Sequence, residues 1–395
     1  MIFDFDKEID RYNTSSYKWD VAEKMFGEKG VLPMWTADMD FRSPTFIIDA
    51  IKRRAEHGIF GYTVKTESYN EAVAGWMKRR HNWNIEKDWI CFSPGIAPAL
   101  SFIVQAFTQP GDKIVIQPPV YYPFSQVIEK NECELVCNPL KFENGKYVMD
   151  FDDLRTKLDS QVKLLILCSP HNPGGRVWTK EELIELGEIC FEHNVLVVSD
   201  EIHFDLIYKD HTHIPFASLS EEFTQNTIVC TAPTKTFNLA GLLTSNIIIP
   251  NRHLRETFME TMNKNFLVFM NSFGVAATEN AYIYGDEWLD QCIDYLQQNL
   301  DFLINFIESN IKELKVIKPE ATYLVWIDCC ELGMDDKSLE QFLLKEAKVA
   351  PSLGYVFGPG GEGFIRINIG CPRSVLEEGL KRIEKAVNSY TLVKP

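Results

Sequence analysis

The sequence predicts an α/β protein, with a large domain on a mostly parallel sheet between helices and a smaller α+β domain towards the C-terminus. Three observations carry that prediction. From about residue 90, short apolar runs such as KIVIQPP, KLLILCSP and VLVVSDE alternate with helical patterns. Strands that are apolar along their whole length are buried on both faces, which is the condition of a parallel sheet under helices. Around residue 285 the rhythm changes to one long helical pattern followed by fewer strands, and 395 residues are more than one simple core organises.

The elements follow in chain order. The first 45 or so residues are irregular and aromatic, ending in LPMWTADMDFRSP. Helical spacing then runs through PTFIIDAIKRRAEHG and SYNEAVAGWMKRRHN. The strand runs continue with ELVCNPL, TIVCTAP and SNIIIP, and the helical pattern TKEELIELGEICFEHN lies between two of them. The long pattern EWLDQCIDYLQQNLDFLINFIESNIKEL leads into strands at TYLVWID and FIRINIG. The expected organisation is an N-terminal segment, 1–45, associated with the small domain; a large domain, 46–285; and a small C-terminal domain, 286–395.

Composition narrows the function classes. Hydrophobic residues make up 45% and charged residues 24%, the balance of an ordinary globular protein. A net charge of −16 argues against nucleic acid or an anionic membrane as partner, since both need a basic footprint. The ten cysteines form no C-x-x-C pair, which fits free thiols in a reducing compartment. MIFDFDKEIDRYN carries acids where a signal peptide needs bases, and no apolar run approaches the roughly 20 residues of a membrane span. A cytoplasmic protein without membrane contact is the expectation, and no metal site is read.

In open α/β sheets ligands bind beyond the carboxyl ends of the strands. Those ends carry a particular set of polar groups here. KLLILC runs into Asn172 of SPHNPGG, VLVVS into Asp200 of DEIH, and TIVCTAP into Thr234-Lys235. Each has an ordinary reading: a turn residue before proline, a helix cap, a loop lysine. One cofactor asks for all three. Pyridoxal 5′-phosphate (PLP) needs a lysine to hold it, an acid near its pyridine nitrogen and donors to its ring oxygen, besides a phosphate cradle.

The order N-P-G-G, D-E-I-H, T-K-T-F-N-L-A-G resembles the fold-type I PLP enzymes of aminotransferase class I/II. More narrowly, PHNPGGRVW, SDEIHFDL and KTFNLAG resemble the branch of cystathionine β-lyases and cysteine-S-conjugate C–S lyases, and the likeness runs from MWTADMDF to IRINIGCPR. The resemblance implies a seven-stranded sheet in the large domain. It implies that Lys235 carries the cofactor and removes the Cα proton, that Asp200 faces the pyridine nitrogen, and that Asn172 donates to the ring oxygen. Tyr121 of PPVYYPF would stack on the ring, ahead of Tyr122, and help protonate a departing thiolate.

Gly95, Ile96 and Ala97 would open the phosphate cradle at a helix start, with Thr231 and Thr234 adding hydroxyls. Tyr62 of IFGYT would reach the phosphate of a neighbouring subunit, so that a homodimer shares its active sites. Arg366 of GFIRINIG would grip the substrate α-carboxylate, with Asn172 and the main-chain N–H groups near Ala37 beside it. Two positions depart from the aspartate-aminotransferase pattern. His203 stands where a tyrosine is bonded to the ring oxygen, and Leu243 replaces the phosphate-binding arginine. The activity implied is elimination of a thiol from L-cystathionine or a related cysteine conjugate, giving pyruvate and ammonia. Transamination is the alternative, and an added transcription-regulator-binding role is a further one.

Overall fold

The computed structural model describes residues 2–392. The outermost residues of the two expected terminal regions, 1 and 393–395, lie outside them. Seven strands form the principal sheet: β1 (Ile90–Ser93), β2 (Lys113–Ile116), β3 (Glu134–Cys137), β4 (Val162–Cys168), β5 (Leu196–Asp200), β6 (Thr227–Thr231) and β7 (Ser245–Ile248). Their spatial order is β1-β7-β6-β5-β4-β2-β3. Only β7 runs against the rest, antiparallel to both β1 and β6.

The continuous apolar runs have a direct cause. Leu164 and Ile166 of β4 pack into one core with Ile96, Leu100 and Ile103 of the helix Ile96–Phe107. Leu165 and Leu167 face the other way, into a core shared with Leu183, Leu186 and Ile189 of the helix Lys180–Glu192. Alternate residues thus serve opposite faces, and both faces are covered. The second of those helices begins at a capping box in which the Thr179 hydroxyl accepts from Glu182 N–H and the Glu182 carboxylate accepts from Thr179 N–H.

The C-terminal part holds the 25-residue helix Asp286–Asn310 and a four-stranded antiparallel sheet. Its strands are β8 (Lys315–Ile317), β9 (Leu324–Asp328), β10 (Ser352–Leu353) and β11 (Phe364–Asn368), in the order β8-β9-β11-β10. The N-terminal segment is stitched to this part: Leu32–Pro33 pairs in parallel with Val349–Ala350, and Asn368 N–H donates to Met34 O at 2.9 Å. Gly175, at φ 67°, closes the turn after Asn172, and a side chain there would meet Pro319 at 2.4 Å. Its carbonyl accepts instead from Glu320 and Ala321 N–H, so the absence of a side chain lets the two parts touch. Among the described residues no helix is long and apolar enough to cross a membrane.

Candidate active site

Register brings the strand ends together. In the neighbouring strands β4, β5 and β6, Cys168 pairs with Asp200 and Asp200 with Cys230. Asn172 lies just beyond the first strand, Asp200 ends the second, and Lys235 follows the third in a single turn, Pro233–Thr236. A cavity of about 760 Å³ opens at this rim, between the strand ends, the N-terminal segment and the C-terminal sheet. It is lined by Ala37, Gly95, Ile96, Ala97, Tyr121, Asn172, Asp200, His203, Thr234, Lys235 and Arg366. Of the residues singled out in the sequence, Thr231 and Tyr62 are not on its wall.

Lys235 Nζ donates to Ala37 O at 2.6 Å. Burial is the main cause that lowers its pKa to about 8; Arg366 lowers it further, while Asp38 and Asp200 act in the opposite sense. Burial acts on Asp200 too, raising its carboxyl to about 7. Among the described residues the one donor to that carboxylate is Ile202 N–H, at 3.2 Å, and no cation forms an ion pair with it, though Lys235 nearby holds the value down somewhat. His203 lies beside it, its Nδ1 buried without a partner and its pKa held well below the ordinary value by burial, so the ring is neutral.

Arg366 presents the opposite case. It is buried, and its guanidinium donates to Asn172 Oδ1 (2.9 Å), Trp35 O (2.8 Å) and Ser352 Oγ (3.0 Å), with Phe357 under it at 4.8 Å. Its Nε has no acceptor, and no carboxylate among the described residues pairs with it. Burial lowers its pKa to about 10, so it remains a cation. The cavity therefore holds a buried cation lacking an anion and a buried carboxylate lacking a cation, with a lysine of depressed basicity between them. Buried charges left in this way are costly unless a ligand completes them.

The remaining wall is built for flat and anionic groups. Tyr121 packs edge-on to Phe124, and burial pushes its phenol above the ordinary range, so it stays protonated at neutral pH. Gly95, at φ 143°, caps the helix Ile96–Phe107. A side chain on it would only touch Pro98, at 3.4 Å, so it is the φ that favours glycine here. That helix start leaves the Ile96 and Ala97 N–H groups without helical acceptors.

The aminotransferase class I and II model matches residues 30–383. The chain belongs to that family. Cystathionine beta-lyase PatB of Bacillus subtilis (strain 168) is 49% identical over 385 residues, covering 97% of this chain and all of PatB. Protein MalY of Escherichia coli (strain K12) is 32% identical and covers 98% of this chain and all of MalY. Among solved structures, cystalysin from Treponema denticola, which contains a pyridoxal 5′-phosphate cofactor, superposes with a TM-score of 0.96 at 41% identity, over 98% of this chain and 100% of that one. The PLP-bound C–S lyase from Staphylococcus hominis gives 0.92 at 37%, over 98% of each.

Within this class I/II site, several placements correct the sequence reading. The Thr231 hydroxyl is spent inside the sheet, donating to Asn246 O at 3.3 Å, so it is no phosphate donor. Ala37 serves the site through its carbonyl, which accepts from both Lys235 Nζ and Tyr323 Oη (2.9 Å), and not only through N–H groups. Tyr62, expected to serve a neighbouring subunit and not its own cavity, is 89% exposed and stacks on Phe269 at 4.5 Å, outside this cavity, which leaves that expectation open.

Sequence reasoning also passed over Tyr323, Ser245 and Asp205. The Asp205 carboxylate accepts from Thr236 Oγ1 (2.7 Å), Trp76 Nε1 (3.0 Å) and the His81 ring (2.7 Å). Thr236 follows Lys235 directly, so this buried cluster fixes the lysine's turn. Asp205 lies within SDEIHFDL, but its partners are distant in sequence and nothing local announces them.

Proposed function

We propose that this protein is a PLP-dependent carbon–sulfur β-lyase acting on L-cystathionine or a related cysteine S-conjugate. One observation carries the reading: the two uncompensated buried charges flanking Lys235 match the ends of what such an enzyme brings together. Asp200 would gain the cation it lacks from a protonated pyridine nitrogen. Arg366 would gain its anion from the α-carboxylate of an amino acid. The Gly95 cradle and the orphaned His203 Nδ1 fit the phosphate and the ring's surroundings in the same sense. Close likeness along the whole chain to PatB and to cystalysin supports lyase over transaminase chemistry.

When bound, PLP supplies an aldehyde that condenses with amines and a ring that draws electrons from the substrate Cα. The chain's own groups do the rest. Lys235 would hold the cofactor, and its amine would accept the Cα proton; a pKa near 8 leaves a useful free-base fraction at neutral pH. Arg366 holds Asn172 through its Oδ1, which would leave the amide N–H groups to donate to the ring oxygen. Arg366 fixes the carboxylate with a planar fork. Tyr121, held protonated by burial, would lie against the ring and could pass a proton to the departing sulfur. The net reaction takes one water and one cysteine conjugate to a thiol, pyruvate and ammonia. Lys235→Ala should abolish pyruvate release from L-cystathionine; full activity in that variant would overturn the reading.

We also propose a homodimer with shared active sites. Tyr62 and Phe266, 89% and 90% exposed, belong to segments joined by the Thr63–Met270 bridge and flanked by exposed Ile59, Phe60 and Val64. An aromatic surface of this kind suits burial by a second copy, which would bring Tyr62 to the partner's phosphate cradle. The ten free cysteines support a reducing cytoplasm as its place.

A further inference from the structure

The phosphate cradle of this chain is short of donors. The helix start offers the N–H groups of Ile96 and Ala97, and the third residue of that turn is Pro98, which has none. Leu243 stands where the resemblance leads one to expect an arginine. It sits in the left-handed region at φ 49°, half-exposed, and brings no polar group. Thr231 donates into the sheet. Even with the Thr234 hydroxyl on the cavity wall, the cradle lacks the side-chain cation that an arginine at 243 would bring.

Two residues beyond Leu243, Ser245 begins β7. It is 1% exposed, its Oγ has no hydrogen-bond partner, and it borders the same cavity. In the sheet it lies directly opposite Ser93 of β1, two residues before Gly95. Register thus sets a buried, unpartnered hydroxyl beside the mouth of the glycine cradle. Burying a hydroxyl with nothing to bond is unfavourable, and an alanine at this position would avoid that cost. A hydroxyl retained there makes physical sense if an acceptor arrives with a ligand.

We propose that Ser245 Oγ donates to the phosphate of PLP and takes over part of the holding that the missing arginine would have done. The inference rests on the PLP reading above and adds a residue to it. It predicts effects of opposite sign in the free and loaded protein. In the free chain Ser245 only costs stability, while in the loaded chain it makes a charge-assisted hydrogen bond.

The test uses the full chain stripped of PLP, as wild type and Ser245→Ala, titrated by absorbance with PLP and separately with pyridoxal, which lacks the phosphate. The expected result is a PLP dissociation constant raised about 10- to 100-fold, pyridoxal binding unchanged, and a melting temperature of the stripped variant equal to or above wild type. Ser245→Cys, of similar volume but a poor donor, should show the same selective loss. Unchanged PLP affinity, or an equal loss for PLP and pyridoxal, would overturn the proposal while leaving the lyase reading intact. A wild-type chain that takes up no PLP would overturn both.

Discussion

Asp200 and Lys235 are set against their own solvation. The folded Asp200 value of about 7 lies above the ordinary 3.8, so the fold favours the protonated acid. That contribution is whole below about pH 3.8 and is lost as pH rises through about 7. Asp200→Asn keeps an acceptor for Ile202 N–H and removes the buried charge. The stripped variant should therefore be more stable than wild type at pH 8, on the order of 2–4 kcal/mol, with the gap closing towards pH 4, while catalysis is lost. Denaturant melts at the two pH values check it; a gap that widens in acid would contradict it.

At this scale the sequence was informative wherever a polar group ends an apolar strand, since Asn172, Asp200 and Lys235 are conspicuous there. It was silent on direction. Nothing local shows that Ala37 offers its carbonyl, that the Thr231 hydroxyl turns into the sheet, or that Ser245 faces the cavity. The last two depend on β7 lying between β6 and β1.

The turn Pro233–Thr236 depends on what lies behind it. Thr236 Oγ1 bonds Asp205, and the same carboxylate ties in Trp76 and His81 of the helix Glu67–His81. Thr236→Val keeps the shape and leaves that buried carboxylate one donor short. Stability should fall by about 1–3 kcal/mol, and kcat should fall more than PLP affinity, because the lysine's turn loosens while the cofactor's other contacts remain. Chemical denaturation with steady-state kinetics reads both; an unchanged kcat would show that the cluster is not positioning Lys235. The runs KLLILC, VLVVS and TIVCTAP were legible as strands because burial on both faces makes them uniformly apolar. That they lie side by side, and that SNIIIP runs antiparallel, was not legible, since a buried strand reads alike in either direction. The two-residue strand Ser352–Leu353, which helps hold Arg366 through the Ser352 hydroxyl, is too short to leave a periodic pattern.

Across the whole molecule the cavity exists only because three separated parts of the chain converge: the strand ends, the segment around Trp35–Ala37, and the C-terminal sheet that supplies Arg366. The change of rhythm near residue 285 and the motif order pointed to this arrangement, whereas the stitching of Leu32–Pro33 to Val349–Ala350 spans too many residues for any local signal. In the proposed dimer, the exposed surface around Tyr62 would add a fourth contributor, from a second copy. Phe266→Asp should halve the mass measured by light scattering and reduce activity along with it; a variant that stays dimeric would contradict that surface as the interface.

The central claim is that this site, supplied with PLP, eliminates a thiol instead of exchanging an amino group. The most direct measurement incubates the PLP-loaded protein with L-cystathionine and no oxo-acid acceptor, following thiol and pyruvate together. Equimolar thiol and pyruvate, lost in Lys235→Ala, is the predicted result. Neither product, with amino groups instead exchanged once 2-oxoglutarate is added, would contradict it and make the protein an aminotransferase.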